Sequence, residues 1–249
     1  MKRALLLIVL MSVPLLAFCF SSSASATALS GLSIISDSVA DYAISPVMQV
    51  SGLCFSYHRP FAAAGINVFS VHNAISRGDL HLALGNTYLH HQDYASHNPY
   101  LNLNYCYEGL SFGATGHLLY DAIQDSDAEY CFSYDLGLRY EYKHLAAELK
   151  MLSIDQDEQE GSLSVMGFLS PDIRAALGYF HSMNYQDKIR VGIDTKLNQY
   201  LSLYGSWQSE DSRFGAGFKV SVDSWSLLYA IRTHPKLDAS HAIALEVFW

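Results

Sequence analysis

Three sets of residues in this 249-residue chain carry groups that could do chemistry. The first is His90, His91, Asp93 and His97. Neutral imidazoles beside a carboxylate can take a divalent transition metal, but this spacing matches no established zinc pattern, and a hydrated loop is the plainer expectation. The second pairs Ser240 with His241, or Asp93 with His91, as a nucleophile or acid beside a base. No G-x-S-x-G or comparable local signature accompanies them, so the chain is expected to be no enzyme and to use no cofactor or metal. The third set is a scatter of charges, Arg139, Glu148, Lys150, Arg174, Arg190, Asp194, Lys219 and Glu246, each preceded by an apolar residue in sequence. Those charges need an explanation before they can be given a role.

The explanation lies in the segments that carry them. Leu110, Phe112, Ala114, Gly116, Leu118 and Tyr120 recur at every second position, as do Tyr130, Phe132, Tyr134, Leu136, Leu138 and Tyr140. So do Ile189, Val191 and Ile193; Leu201, Leu203, Gly205 and Trp207; and Trp225, Leu227, Tyr229 and Ile231. Period two is the period of a strand with one greasy face. The charges fall out of phase with these rows, together with Asn102, Asn104, His117, Ser133 and Asp135. An Arg or Lys facing lipid at mid-membrane costs about 2 to 4 kcal/mol, so a membrane barrel with a greasy outside and a polar inside accommodates both sets. The eight charges are then expected to face the lumen, either paired across it as ion pairs or lining water.

Rows of this kind run from about residue 47 to the end, and counting the weaker ones near Leu53–Tyr57, Ile66–Val68, Leu80–Tyr88 and Leu101–Tyr107 gives fourteen strands, with twelve as the alternative. Connection lengths alternate. Reversals near Glu108–Gly109, Glu141, Ser170–Pro171, Asn198–Gln199 and Asp223–Ser224 are short, whereas His91–Pro99, Asp121–Ala128, Ser153–Gly161, Ser182–Asp187, Ser209–Ser212 and Thr233–Ala239 read as longer loops. Short turns on one side and long loops on the other, with an even strand count, predict an all-β, antiparallel transmembrane barrel with both termini periplasmic.

The N-terminus supplies a route of export. Lys2 and Arg3 precede an apolar run from Ala4 to Phe20 and the small-residue stretch SSSASA, which predicts a signal peptide over 1–26. Residues 27–46 would follow as a periplasmic tail or a lumen plug, and 47–249 as the barrel. Half of the chain is hydrophobic while 16% is charged, yet beyond the leader no stretch reaches the roughly 20 apolar residues of a membrane helix. A formal charge of −9 offers no basic footprint for nucleic acid. Cys54, Cys106 and Cys131 are odd in number and without ligand spacing, and are expected to be small interior-facing residues.

The chain ends His241-Ala-Ile-Ala-Leu-Glu-Val-Phe-Trp249, with Ile243, Leu245, Val247 and Trp249 on one face. This resembles the C-terminal strand by which the barrel-assembly machinery recognises outer-membrane barrels. The longer stretch FGAGFKVSVDSWSLLYAIRTHPKLDASHAIALEVFW resembles the closing hairpins of PorV/PorQ-type, FadL-like barrels: a Gly-rich strand over 214–222, then Tyr229 and Ala230, then Thr233 and His234 before the last strand. Asp238 stands where a Gly is usual and Ala242 where a basic residue is usual. Near the start, DYAISPVMQVSGL resembles the family's Asn-Pro-Ala-Gly-Leu segment, with Ser45 for Asn and Val47 for Ala. The resemblance implies an outer-membrane location in a Gram-negative envelope and contact with its lipid. It further implies passage of a small or hydrophobic solute past an N-terminal plug, or else docking to a secretion or envelope protein.

Overall fold

The computed structural model describes residues 23–63, 65–124, 126–154 and 159–249. Most of the expected leader, residues 1–22, lies outside the described residues. Fourteen strands form one closed antiparallel barrel, each paired with its neighbours in sequence and the first with the last. They are β1 (Gly52–Arg59), β2 (Asn67–Arg77), β3 (Leu80–His91), β4 (Tyr94–Tyr107), β5 (Leu110–Ile123), β6 (Glu129–Tyr142), β7 (Leu145–Ile154), β8 (Glu160–Ser170), β9 (Ile173–Ser182), β10 (Lys188–Lys196), β11 (Leu201–Gln208), β12 (Arg213–Val222), β13 (Trp225–Arg232) and β14 (Ser240–Phe248). The count is fourteen, not twelve, because the weak early rows are strands in full register: β1 runs Gly52↔Phe248 to Arg59↔His241 against β14. That pairing is the seam of the barrel. Closure matters because an open sheet edge would leave backbone donors and acceptors unpaired in lipid.

Facing follows the sequence phase. Leu101 and Leu103 on β4 are each more than half exposed, while Asn102 and Asn104 between them are fully enclosed. The same alternation holds at Leu149 against Glu148 and Lys150, and at Ile193 against Asp194. In water the outward leucines would each forgo about 1.5 to 3 kcal/mol of burial, so the outer surface is stable only in an apolar solvent. No helix among the described residues is long and apolar enough to cross a membrane. The strands are the spanning elements.

Local chemistry sets the reversals at the short end. Glu108 and Gly109 both take positive φ, 47° and 84°, which gives the two-residue hairpin whose twist matches its strands. Turns at residues 78–79, 143–144, 171–172 and 223–224 lie at this same end, which we call the turn end; the opposite one is the loop end.

Two expectations are corrected. Residues 91–99 are not a long loop: β3 continues to His91 and β4 begins at Tyr94, so only two residues turn the chain. Tyr94, Ser96 and Asn98 continue the inward phase there, but their outward partners Ala95, His97 and Pro99 are not greasy, which disguised the strand. Pro99 is outward and exposed, and its β3 partner is Asn86. The wall begins at Gly52 instead of 47, because Pro46 and Met48 are held in the lumen by side chains of β4. Of the cysteines, Cys54 is buried inside, while Cys131 is solvent-exposed at the loop end although it shares the inward face with its β5 partner Leu119.

Candidate functional site

What the barrel encloses is its own N-terminal segment. Residues 24–29 and 32–35 are almost entirely shielded, as are Val39, Ala40, Tyr42, Val47 and Met48. The segment opens with helix α1 (Ala24–Ala28), capped by Ser23, whose Oγ accepts the Ala26 N–H at 2.9 Å. Ser30 and Gly31, at φ 54° and 79°, end the helix. Two short 3-10 turns follow at Ser33–Ile35 and Val39–Ala43. A segment this short could not fold alone, so the wall must supply its partners.

The wall does so by steric fit and by hydrogen bonds. Inward-facing glycines make room: a Cβ on Gly113 would lie 1.8 Å from the Pro46 carbonyl oxygen, and one on Gly215 would lie 2.4 Å from that of Ala28. Gly178 and Gly192 likewise leave space for Leu32, and Gly137 for Val47. Asn102 Nδ2 donates to the Pro46 carbonyl at 3.0 Å and Asn104 Nδ2 to that of Met48 at 2.7 Å. Ser206 Oγ donates to the Ala28 carbonyl at 2.7 Å. These acceptors lie in irregular backbone or at the C-terminal end of α1, where a carbonyl lacks a helical partner, so each bond removes a penalty as well as adding an attraction.

The charges complete the attachment. Glu148 and Lys150, 3.2 Å apart on β7, both reach Ser33: its Oγ donates to Glu148 Oε1 at 2.7 Å, and Lys150 Nζ approaches that Oγ at 2.6 Å. Ser45 Oγ donates to Glu148 Oε2 at 3.2 Å, and Lys150 Nζ donates to the Ile44 carbonyl at 3.0 Å. On the far wall Lys219 bridges Asp37 of the plug, at 3.4 Å, and Glu246, at 3.3 Å. Glu246 also accepts from Ser38 Oγ and from the Val39 N–H. Arg174 holds Asp194 and lies 3.7 Å from Asp37. Desolvation in the lumen opposes ionisation of Asp37, although its side chain stays 46% exposed toward the turn end, and Lys219 and Arg174 outweigh it and hold the carboxyl below its usual range. Asp41 differs: burial pushes its carboxyl up, against hydrogen bonds from Ser23, Ser36 and Ser25.

Of the eight charges expected inside, Glu148, Lys150, Asp194, Lys219 and Glu246 are buried. Arg139 faces inward near the turn end and pairs with Glu141. Arg174 takes part in the Asp37 cluster, and Arg190 stacks 3.7 Å from the Phe180 ring centre and donates to Gln208 Oε1 at 3.0 Å. They do not converge on one centre. On β14, Ile243 and Leu245 are exposed on the outer face and Val247 is half-buried, and Trp249, just past the strand, is exposed. The glycines escaped the sequence reading. Their signal was there, since all sit in the polar phase of their strands, where a side chain would otherwise fill the lumen.

The earlier chemical candidates separate. His97 stacks on Tyr88 with ring centres 4.4 Å apart, Tyr88 Oη meets His90 Nδ1 at 3.1 Å, and the Asp93 N–H donates to His91. No group of three metal-binding side chains occurs among the described residues. Ser240 points inward and accepts the Phe61 N–H, whereas His241 faces out against Tyr229. Adjacent residues on a strand cannot act on one substrate.

Space remains around the plug. At the loop end a cavity of about 110 Å³ is lined by Val68, Leu89, Leu119 and Leu152 with His117 and Asp135, which meet at 2.9 Å. A second, of about 160 Å³, is lined by Phe180, Lys188, Arg190, Gln208, Arg213 and Arg232. At the turn end a cavity of about 400 Å³ is bordered by Asp37, Lys196, Tyr204, Lys219 and Phe248.

A closed antiparallel barrel with a greasy exterior and a charged, occupied interior defines the class as an outer-membrane β-barrel. Among solved structures the fold matches the toluene transporter TbuX of Ralstonia pickettii, a FadL-like barrel, with TM-score 0.63 and 8% identity over 85% of this chain and 94% of that one. A mutant porin of Rh. blastica aligns with TM-score 0.49 and 5% identity over 81% of this chain and 99% of that one. No protein-family profile and no curated protein matches the sequence.

Proposed function

We propose that this protein is a plugged transport barrel of the outer membrane, carrying a small hydrophobic or amphipathic solute through a lumen that its N-terminal segment keeps shut. The carrying observation is that segment itself, with Leu29, Leu32, Ile34 and Ile35 enclosed by the wall and cavities left beyond it at both ends. An open porin lumen would be lined by water instead. The fold likeness to a toluene transporter adds support of a general kind. Anchoring by serine and carbonyl contacts, plus a few ion pairs, suits a plug that shifts without the wall unfolding.

A second reading follows from the same ion pairs: a permanently shut barrel serving as a scaffold for a secretion or envelope partner, as the PorV/PorQ-type resemblance implies. In either case the outer face would contact outer-membrane lipid, and Ile243, Leu245, Val247 and Trp249 would present β14 to the barrel-assembly machinery. The experiment is paired. Planar-bilayer recording of the refolded protein should show no steady open steps, and vesicles containing it should take up radiolabelled toluene faster than empty vesicles. Steady ohmic steps would favour an open pore; electrical silence without uptake, joined to a stable partner in mild detergent, would favour the scaffold.

A further inference from the structure

Asp41 is a buried carboxylate that none of the wall latches uses. It is fully enclosed, and two of its donors come from the start of the plug. Ser23 Oγ donates to Asp41 Oδ1 at 2.5 Å, and Ser25 Oγ lies 2.8 Å from Oδ1 and 2.9 Å from Oδ2. Ser36 contributes another side-chain bond. The two early serines are themselves fixed. Ser23 caps α1 through the Ala26 N–H and receives the Thr27 N–H and hydroxyl on its carbonyl, at 3.0 and 2.9 Å. Ser23, Ala24, Ser25 and Ala26 are each at most 3% exposed.

The small-residue stretch ending at Ala26 predicts cleavage after that residue, and such a cut would discard this arrangement. It would remove the helix cap and both serine donors and leave an enclosed carboxylate beside an empty volume. A buried carboxyl that loses two of its three serine donors carries a cost that the intact arrangement avoids. The sequence offers alternatives. Cleavage requires small residues one and three places before the cut. Ala17 with Cys19, and Cys19 with Ser21, meet that need upstream of the plug, whereas Phe20 disfavours a cut after Ser22.

We infer that the export signal is removed upstream of Ser23, so that Ser23–Ala26 remain in the mature protein as the buried first turn of the plug, with Ser23 and Ser25 holding Asp41.

The test is the intact mass and N-terminal sequence of the protein extracted from the outer membrane of expressing cells. A first residue at position 20 or 22 is expected; Thr27 as first residue overturns the inference. An independent arm uses heat-modifiable gel mobility. Ser23→Ala with Ser25→Ala should lower the transition temperature by several degrees, and by clearly less when combined with Asp41→Asn, because the serines act through that carboxylate. No effect of the serine changes in either background would mean the residues are absent from the mature barrel and would also overturn it. If the double variant fails to insert, the mass of the unaltered protein still decides.

Discussion

Lys150 Nζ lies 3.2 Å from Glu148 Oε1 on the inner face of β7, and the two side chains close together on Ser33 of the plug. A wall residue and its neighbour two places on thus form one binding unit for a segment more than a hundred positions away in sequence.

Breaking that unit from one side should be costly. Lys150→Met leaves Glu148 enclosed without its ammonium, an effect of about 3 to 5 kcal/mol for buried pairs. Lys150→Met with Glu148→Gln should recover a good part of the loss. The temperature at which the heat-modifiable band unfolds measures both; equal losses in the single and double variants would mean the pair does not couple.

Steric fit gives a cleaner way to move the plug. Gly113→Leu places a side chain where the Pro46 carbonyl sits, while Gly116→Leu on the same strand points outward past Phe132, whose nearest atom is 3.5 Å away. The first should produce single-channel steps in a planar bilayer and the second should stay as quiet as the parent. Silence from both would place the permeation barrier elsewhere than the plug.

Facing can be tested against lipid. Leu177, mid-way along β9 and half exposed, should not accept a charge: Leu177→Arg costs about 2 to 4 kcal/mol of folding into bilayers. Ser202→Arg, which enters the turn-end cavity, should fold nearly as well as the parent. Refolding yield in phosphatidylcholine vesicles reads both, and the rim residue Leu203 should tolerate Arg better than Leu177 does.

Acid should loosen the plug through Asp37. Its carboxyl is held below the usual range, so its contribution is present above the unfolded value near about 4 and is lost as pH falls through the lower folded value. Lys219 and Arg174 are its cationic partners, so Asp37→Asn, which removes the titrating carboxyl, should reduce the acid response. Asp41 has the opposite sign, raised by burial, and adds stability as pH falls. Protease sensitivity of the plug between pH 7 and 3 is the measurement, and an Asp37→Asn response equal to the parent's would remove Asp37 from the mechanism.

The wall was legible because lipid imposes one rule on every strand. Leu101, Leu103 and Tyr105 alternate with Asn102, Asn104 and Cys106 in sequence as they do in space. The rule weakens toward the membrane edge, where His97 and Pro99 interrupt the apolar row and the strand read as a loop. The plug was less legible for a different reason. Its backbone is fixed by Asn102, Asn104, Ser206 and inward glycines far along the chain, so nothing within residues 27–46 could announce a position in the lumen. Five of the eight charges are buried, and whether such groups pair or line water depends on the plug that fills the space between them.

The seam between β1 and β14 is also coupled to the plug. The plug leads directly into β1 at Gly52, where a Cβ would meet the Val247 carbonyl oxygen of β14 at 2.4 Å, so no slack separates the enclosed segment from the closing junction. The strand that closes the cylinder is thus tethered at its start to what the cylinder holds, and any displacement of the contents pulls directly on the joint.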